Sequence, residues 1–184
     1  MSDRYIFRYI IILVTIVSVL LAGAAILLQP LQKRNELNER RINILKAAGI
    51  TGVDNTNAEQ MFEHHCTAKH EGDMPFYIID NSITVIPMHG NGLWGPIWGY
   101  IGLAADGQTV VGAVFDHKSE TPGLGGEITT DSYQSQYNGK QLLKNGDDIS
   151  LDVDAIAGAT RTSLGVEEMI ERALKQYLPY LERQ

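Results

Sequence analysis

An uncharged apolar run at residues 9–28 constrains this chain more than any other feature of its sequence. A helix of about 20 residues is about 30 Å long, which matches the hydrocarbon core of a bilayer. We therefore predict an N-terminal tail at 1–8, a transmembrane helix at 9–28 in contact with membrane lipid, a helical connector at 29–50 and a folded domain at 51–184.

A cleaved secretory signal peptide is the alternative interpretation of this run. The apolar core of a signal peptide is shorter, about 7–15 residues, and a cleavage site of small residues follows it. Here the small residues Ala22-Gly23-Ala24 are followed by more apolar residues at 25–28. This continuation favours an uncleaved membrane anchor.

The distribution of charge limits the partners of the chain without fixing its orientation. A net charge of -7 argues against a nucleic-acid partner. More basic residues follow the span than precede it, and the positive-inside rule would place the domain in the cytoplasm. Because long domains translocate largely regardless of flanking charge, the orientation stays open on this ground. The basic residues are Arg4 and Arg8 before the span, and Lys33, Arg34, Arg40, Arg41 and Lys46 after it.

The middle of the chain has the pattern of an antiparallel sheet. Short apolar runs are separated by turn residues, which is typical of hairpins. Glycines within these runs, at Gly99, Gly102 and Gly112, indicate bulges or the close approach of another group. The predicted hairpins are 76–79 with 83–86 around Asn81, and 97–103 with 109–115 around Asp106-Gly107.

Helices are predicted around this sheet. An apolar stripe at 31–48 ends at Gly49, whereas residues 51–73 show no clear helical pattern. A final helix at about 163–181 has Ser163 as its predicted N-cap. Together these elements predict an α+β fold, a mostly antiparallel sheet with peripheral helices. Smaller predicted elements are a short helix within 133–143, a turn at 145–148 and a strand at 149–153; the apolar face of the final helix is Val166, Met169, Ile170, Ala173, Leu174, Tyr177 and Leu178.

The segment Asp154-Ala155-Ile156-Ala157-Gly158-Ala159-Thr160-Arg161-Thr162-Ser163 combines a small-residue turn with the start of a helix. Free backbone N–H groups and the positive end of the helix dipole favour an anion there. Gly158 lets the backbone come close, and the hydroxyls of Thr162 and Ser163 can donate hydrogen bonds to a phosphate. The hydroxyl of Thr160 offers in addition a point where a phosphate can be attached covalently.

A second segment, residues 118–127, is rich in glycine. Pro122 followed by Gly123 is the pattern of a type II turn, and the glycines expose backbone groups to a close neighbour. Such a loop can wrap the polar edge of a flat ring while Leu124 touches its face. The alternative is a plain turn between a strand and a helix. The segment has neither the Lys-Ser/Thr pair of a phosphate-binding P-loop nor a GxGxxG pattern.

These two segments and the single anchor together resemble the FMN-binding domain family of membrane redox complexes. The resemblance covers nearly the whole chain. Asn91-Gly92-Leu93-Trp94 resembles the Gly-Leu-Trp segment of the NqrC proteins, which belong to the Na+-translocating NADH:quinone oxidoreductases, or Nqr. The RnfG proteins of the related Rnf complexes share the threonine and the Thr-Pro-Gly-Leu-Gly loop, with less of the Gly-Leu-Trp segment.

The resemblance implies an electron-transfer subunit of an NADH:quinone oxidoreductase, a flavin carrier rather than a complete enzyme alone. It implies FMN in phosphoester linkage to Thr160, attached from FAD by a flavin transferase. It also implies partner subunits, and a domain on the outer, periplasmic face of the bacterial cytoplasmic membrane. Ala157 departs from the family pattern, which has Ser or Thr there. The predicted cofactor-binding residues are Leu93, Trp94, Glu120, Thr121, Pro122, Gly123, Leu124, Gly125, Asp154, Gly158, Ala159, Thr162 and Ser163.

Other interpretations stay open. The chain is alternatively the FMN-carrying subunit of an Rnf-type ferredoxin:NAD oxidoreductase, or a membrane-tethered binding domain without a redox cofactor. No metal site is predicted: His64 and His65, in a cluster with Cys66 and His70, are adjacent and suit neither a helical i,i+4 pair nor a zinc finger, so a solvated polar segment is the preferred interpretation. The apolar span offers no ionisable group apart from Tyr9, and hence no evident sodium site.

Overall fold

The computed structural model of the chain describes residues 3–145 and 148–181. Gly146 and Asp147 of the predicted turn, and the side chain of Leu178 in the predicted apolar face, lie outside the described part. Residue contacts divide the chain into two compact units, Met1–Glu39 and Arg40–Gln184. The helices are α1 (Asp3–Ala47), α2 (Ala58–His65), α3 (Asp131–Gln134) and α4 (Thr160–Leu181); the strands are β1 (Cys66–Glu71), β2 (Met74–Ile79), β3 (Ile83–Asn91), β4 (Pro96–Leu103), β5 (Val110–His117), β6 (Leu143–Asn145) and β7 (Asp148–Ser150).

The first unit consists of the N-terminal part of α1. Among the described helices, α1 alone is long and apolar enough to cross a membrane. The residues at 9–28 are exposed except for Gly23, which is consistent with a helix that faces lipid. The hydroxyl of Thr15 donates a 2.8 Å hydrogen bond to the carbonyl of Ile11, so this polar group is satisfied within the helix.

Helix α1 ends at Ala47, and Gly49 is responsible for the stop. Gly49 has a φ of 77°, in the left-handed region that favours glycine. Its N–H donates to the carbonyl of Lys46, while the N–H of Ile50 donates to the carbonyl of Leu45. This pair of bonds is a Schellman motif, which satisfies carbonyls at the end of the helix. The predicted stop at Gly49 is confirmed.

The second unit contains a five-stranded antiparallel sheet in the order β1-β2-β3-β4-β5. Both predicted hairpins are present, as β2–β3 and β4–β5. Asp80 and Asn81 both have positive φ at the first turn, as tight hairpins require. The strand β1 and the preceding α2 were not predicted from residues 51–73. β1 is an edge strand with mostly exposed side chains, so it lacks the apolar alternation that identifies a strand.

The sheet is covered on both faces. One face packs against α4 and the segment 128–142, in a core that includes Phe76, Ile101 and Phe115. The other face packs against the end of α1, with Leu45 and Val85 in the contact. The fold is therefore the predicted α+β class, an antiparallel sheet with peripheral helices.

Glycines in β4 and β5 make room for the end of α1. A Cβ atom at Gly102 would overlap the carbonyl oxygen of Ala47, and one at Gly112 would come within 2.9 Å of the same oxygen. The register also shifts between Gly102 and Leu103, which marks a bulge. The predicted close approach and bulge are both found, and the approaching group is the last turn of α1.

The C-terminal part corrects two predicted elements. The strand predicted at 149–153 is β7, which ends at Ser150 and pairs with β6 outside the main sheet. The final helix begins at Thr160, three residues before the predicted N-cap Ser163. A turn closed by the hydrogen bond from the Ala159 N–H to the Ile156 carbonyl sets this earlier start.

Candidate functional site

The attachment candidate Thr160 is the first residue of α4. Gly158 precedes it with a φ of 78°, so the turn into the helix needs a residue that tolerates the left-handed region. The Thr160 side chain is exposed, and within residues 3–145 and 148–181 its hydroxyl has no hydrogen-bond partner. The first N–H groups of a helix lack intrahelical acceptors and carry the positive end of the dipole. The turn therefore presents a hydroxyl beside an anion-binding helix start.

The other two hydroxyls of this motif have partners within the protein. Thr162 is 1% exposed and donates a 2.6 Å hydrogen bond to Oε2 of Glu120. Ser163 is also buried; its Oγ accepts from the Ile156 N–H and donates to the Ala159 carbonyl. Both hydroxyls were predicted to bind a phosphate. Burial and internal hydrogen bonds occupy both side chains in this structure, and their binding of a phosphate stays a prediction.

The glycine-rich loop forms the predicted type II turn. The N–H of Leu124 donates to the carbonyl of Thr121, and Gly123 at the third turn position has a φ of 75°. The turn places Leu124 beside the attachment motif, since a Cβ atom at Gly158 would lie 3.1 Å from the Leu124 Cδ2. Leu124 is nevertheless 43% exposed. Thr121 and Pro122 are exposed as well, so the loop borders Thr160 with an open surface.

The Gly-Leu-Trp segment is the tip of the β3–β4 hairpin. A hydrogen bond from the Gly92 N–H to the Gly95 carbonyl closes the tip. Leu93 and Trp94 between them are 54% and 67% exposed, which is unusual for large apolar side chains. The tip also contacts α4, because a Cβ atom at Gly165 would overlap the Asn91 carbonyl oxygen. The hairpin is thereby held against the helix that begins at Thr160.

Glu120 lies beneath this surface instead of on it. It is 4% exposed, and its Oε1 accepts a 2.7 Å hydrogen bond from the Trp94 N–H. Burial by itself raises the pKa of Glu120. Hydrogen bonds from the Thr162 hydroxyl and from the N–H groups of Trp94, Leu93 and Gly95 outweigh burial and bring the pKa below its ordinary value of 4.5. Glu120 is predicted to be part of the loop against which a flat ring lies; its side chain bonds the hairpin tip and the start of α4, and the contact of the loop with a ring stays a prediction.

The remaining predicted residues contribute mainly backbone. Ala159 is buried, while Asp154 is exposed and its N–H donates to Gln136. Gly125 is buried, and a Cβ atom there would overlap Oε2 of Glu120.

One further exposed residue near Thr160 was not predicted. Leu164 lies one helical turn after Thr160 and is 42% exposed. The sequence does carry a signal for it, because Leu164 is an apolar residue outside the core-facing stripe of α4.

A small cavity of about 100 Å³ opens beside Thr160. Its lining includes Leu164 and Glu167 from α4, and the phenol rings of Tyr133 and Tyr137. These two phenols are hydrogen-bonded to each other at 3.0 Å, and burial raises the pKa of each. The phenols therefore remain neutral, and the cavity has a mostly apolar wall next to the attachment candidate.

Among the described residues, no group of three His, Cys, Asp or Glu side chains is arranged to hold a metal ion. His65 instead contacts the carboxylate of Asp80 at 2.8 Å. Burial raises the pKa of the Cys66 thiol to about 11, so the thiol is protonated at neutral pH.

The arrangement around Thr160 fits an anchored flavin phosphate. A phosphate on the Thr160 oxygen would lie at the helix N-terminus, where its charge is stabilised. Four large exposed apolar side chains lie on the hairpin tip, the glycine-rich loop and the first turns of α4, and they offer area to a planar aromatic ring: Leu93, Trp94, Leu124 and Leu164. The exposed Arg161 side chain adds a positive charge next to Thr160.

Comparison with known proteins agrees with this arrangement. The FMN-binding domain family matches residues 92–175, which include the hairpin tip, the glycine-rich loop and Thr160. The C subunit of the Na(+)-translocating NADH-quinone reductase of Neisseria meningitidis serogroup B is 28% identical over 229 aligned residues, covering 91% of this chain and 89% of the relative. The protein of the same name from Pasteurella multocida is 27% identical, covering 95% of this chain and 91% of the relative.

Two solved structures share the fold. The crystal structure of the C subunit of the Na(+)-translocating NADH-quinone reductase from Parabacteroides distasonis has a TM-score of 0.74 and 32% identity, covering 85% of this chain and 98% of that one. Shewanella oneidensis NqrC has a TM-score of 0.69 with 21% identity, a likeness of fold alone, and covers 83% of this chain and 97% of that one. The resemblance first indicated by the motifs is thus confirmed: the chain belongs to the NqrC family of the Na+-translocating NADH-quinone reductases, with their FMN-binding domain.

Proposed function

We propose that this chain is an electron-transfer subunit of a Na+-translocating NADH:quinone oxidoreductase and carries FMN as a phosphoester on Thr160. One observation carries the proposal: the Thr160 hydroxyl is exposed and unpartnered among the described residues, at the first position of α4. The neighbouring hydroxyls of Thr162 and Ser163 are buried and bonded elsewhere. Thr160 is thus the one hydroxyl of the motif that is available for attachment.

The residues around Thr160 have separate roles in this proposal. A phosphodiester keeps one negative charge, which the first-turn N–H groups of α4 and the helix dipole would hold. Gly158 keeps the turn open beside Leu124. The exposed apolar side chains would bind the flavin ring and shield it from water. When bound, FMN supplies reversible uptake and release of electrons, and the protein sets its position and potential.

Attachment requires a flavin transferase with FAD as the donor. A bond forms between the Thr160 oxygen and the FMN phosphorus, the pyrophosphate bond of FAD breaks, AMP leaves and the hydroxyl proton is released. The transferase must therefore recognise the turn before α4. Asp154 is exposed at this turn and is a recognition residue in the proposal. Ala157 is exposed too, and its missing hydroxyl would weaken recognition by the transferase.

The membrane arrangement is also part of the proposal. The apolar residues at 9–28 would cross the bacterial cytoplasmic membrane once, with the connector at 29–50 and the domain at 51–184 on the periplasmic side. An outer-face carrier gains from a covalent tether, because a dissociated cofactor would be lost from the cell. The partners would be the other subunits of the complex. The hairpin tip and Leu124 lie at the exposed edge where a flavin would meet a partner's redox centre.

The attachment is tested by expressing the full chain with and without a flavin transferase. A denaturing gel under ultraviolet light should show a fluorescent band only with the transferase, and the intact mass should increase by one FMN. T160A should remove both signals, while S163A, which changes a neighbouring hydroxyl, should retain them. A fluorescent band that survives T160A would sink the assignment. Unlabelled wild type would instead favour the tethered domain without a cofactor.

A further inference from the structure

One buried carboxylate joins the three segments that surround Thr160. Oε1 of Glu120 accepts from the Trp94 N–H at 2.7 Å, and its Oε2 accepts from the Thr162 hydroxyl at 2.6 Å. The nearby N–H groups of Leu93 and Gly95, in the same hairpin tip, also help to lower the pKa of this carboxylate. Glu120 itself lies near the start of the glycine-rich loop. The hairpin tip, the loop and the first turn of α4 therefore meet at a single side chain.

The space around this carboxylate is shaped by glycines. A Cβ atom at Gly92 would come within 2.6 Å of Oε1, and one at Gly125 would overlap Oε2 and lie 2.6 Å from the Thr162 Oγ1. The backbone thus encloses the carboxylate closely, and only glycine permits this approach. The backbone N–H of Glu120 donates to Nδ1 of His117, which fixes the start of the loop.

The charge of the Glu120 carboxylate is not paired with a cation among the residues that the structure describes. Among the ion pairs of the described residues, none includes Glu120. Its negative charge is instead compensated by neutral N–H and O–H donors. Hydrogen bonds to a charged group are about twice as strong as neutral ones, so an ionised Glu120 binds the three segments more firmly than a neutral residue would.

We propose that Glu120 is the positioning residue of the flavin site: its buried, ionised carboxylate fixes the hairpin tip, the glycine-rich loop and the start of α4 relative to one another. A consequence, which rests on the proposed function, concerns the flavin potential. Reduction adds negative charge to a flavin unless protons follow the electrons. A fixed negative charge beneath the ring disfavours that addition, and Glu120 therefore lowers the flavin midpoint potential.

The positioning role is tested on the flavin-free full chain in detergent by hydrogen exchange with mass spectrometry. E120A removes all the bonds to the carboxylate, and T162V removes one of them while preserving shape. Exchange in 92–95, 119–126 and 158–163 should accelerate together, by about tenfold or more for E120A. T162S should restore the wild-type rates. E168A, which changes an exposed acid further along α4, is the matched control. Acceleration confined to one segment, or none in T162V, would overturn the positioning role.

The electrostatic consequence is tested by redox titration of the flavin-loaded chain. E120Q keeps both main hydrogen bonds, because its amide oxygen can accept from Trp94 while its amide nitrogen donates to the Thr162 oxygen. It removes the charge and reverses the bond to Thr162 while keeping the bond from the Trp94 N–H, so the midpoint potential should become more positive, whereas E168Q should leave it unchanged. An unchanged potential in loaded E120Q would refute this consequence. If wild type carries no flavin, the proposed function fails, and the exchange rates of the flavin-free chain still decide the positioning role.

Discussion

The Thr162 hydroxyl donates a 2.6 Å hydrogen bond to the carboxylate of Glu120, which lies 42 residues earlier in the chain. The first turn of the last helix is thereby bonded to the loop after β5. Both side chains are buried, so water does not compete for this bond. The Thr162 hydroxyl is thus engaged within the protein, although it lies two residues from the attachment candidate Thr160.

The low pKa of Glu120 predicts a dependence of stability on pH. A carboxylate whose pKa is lower in the folded than in the unfolded state stabilises the fold above its unfolded pKa, near 4.5, and this contribution is lost as the pH falls through the folded pKa. Wild type should therefore exceed E120Q in unfolding free energy most at neutral pH. The difference should shrink below about pH 4.5. Urea unfolding from pH 7 to pH 3 measures it; a constant difference would contradict the expectation.

The end of α1 predicts a graded effect of glycine substitution. G102A would push a methyl group into the Ala47 carbonyl, and backbone cannot move aside as a flexible side chain can. We expect G102A to destabilise the domain by about 1–3 kcal/mol. G112A faces the same oxygen at 2.9 Å and should be milder. Thermal unfolding of the two variants shows which one loses more stability. A larger loss in G112A than in G102A would show that the end of α1 moves away from the new methyl group.

The exposed Trp94 predicts a change in flavin fluorescence. An indole ring in contact with a flavin quenches its emission, so W94A should brighten the loaded chain while attachment to Thr160 continues. W98F is the matched control, because Trp98 lies within β4 and is only partly exposed. Fluorescence is compared at equal flavin content, determined by absorbance. Equal brightness of W94A and wild type would place the ring away from the hairpin tip.

The internal bonds of Ser163 predict that it matters for stability. S163A would leave the Ile156 N–H without its side-chain acceptor and remove the bond to the Ala159 carbonyl. We expect a loss of about 1 kcal/mol in urea unfolding, with covalent flavin unchanged. S163T retains the hydroxyl and serves as the comparison. If S163A is as stable as wild type but carries no covalent flavin, the Ser163 hydroxyl acts directly at the phosphate and this expectation is wrong.

The sequence predicted the turns and helix ends that depend on the backbone preferences of neighbouring residues. The hairpin turn at Asn81, the type II turn at Gly123 and the helix stop at Gly49 each follow from backbone preferences within a few residues. β1 was missed because an exposed edge strand has no apolar alternation. The start of α4 was misplaced because Ser163 has the residue type of an N-cap, whereas the turn at Gly158 begins the helix earlier.

The role of Glu120 was beyond such signals. Its position before Thr-Pro-Gly suggested a loop residue facing a ligand, and nothing nearby in sequence indicates its burial. The bonds to Trp94 and Thr162 join segments on either side of it in the chain, and only folding brings them together. The sequence also could not distinguish the exposed hydroxyl of Thr160 from the hydrogen-bonded hydroxyls of Thr162 and Ser163, because their partners are set by folding. Thr160 differs from Thr162 through the side of the helix on which each lies.

The glycines around the buried carboxylate have a consequence for how this family can change. Gly92 and Gly125 leave no room for a side chain while Glu120 and Thr162 are present. A substitution at one of these positions is tolerated only if another makes space or supplies a replacement bond. The hairpin tip, the loop and the helix start should therefore behave as one inherited unit, with these four residues retained or exchanged together across lineages.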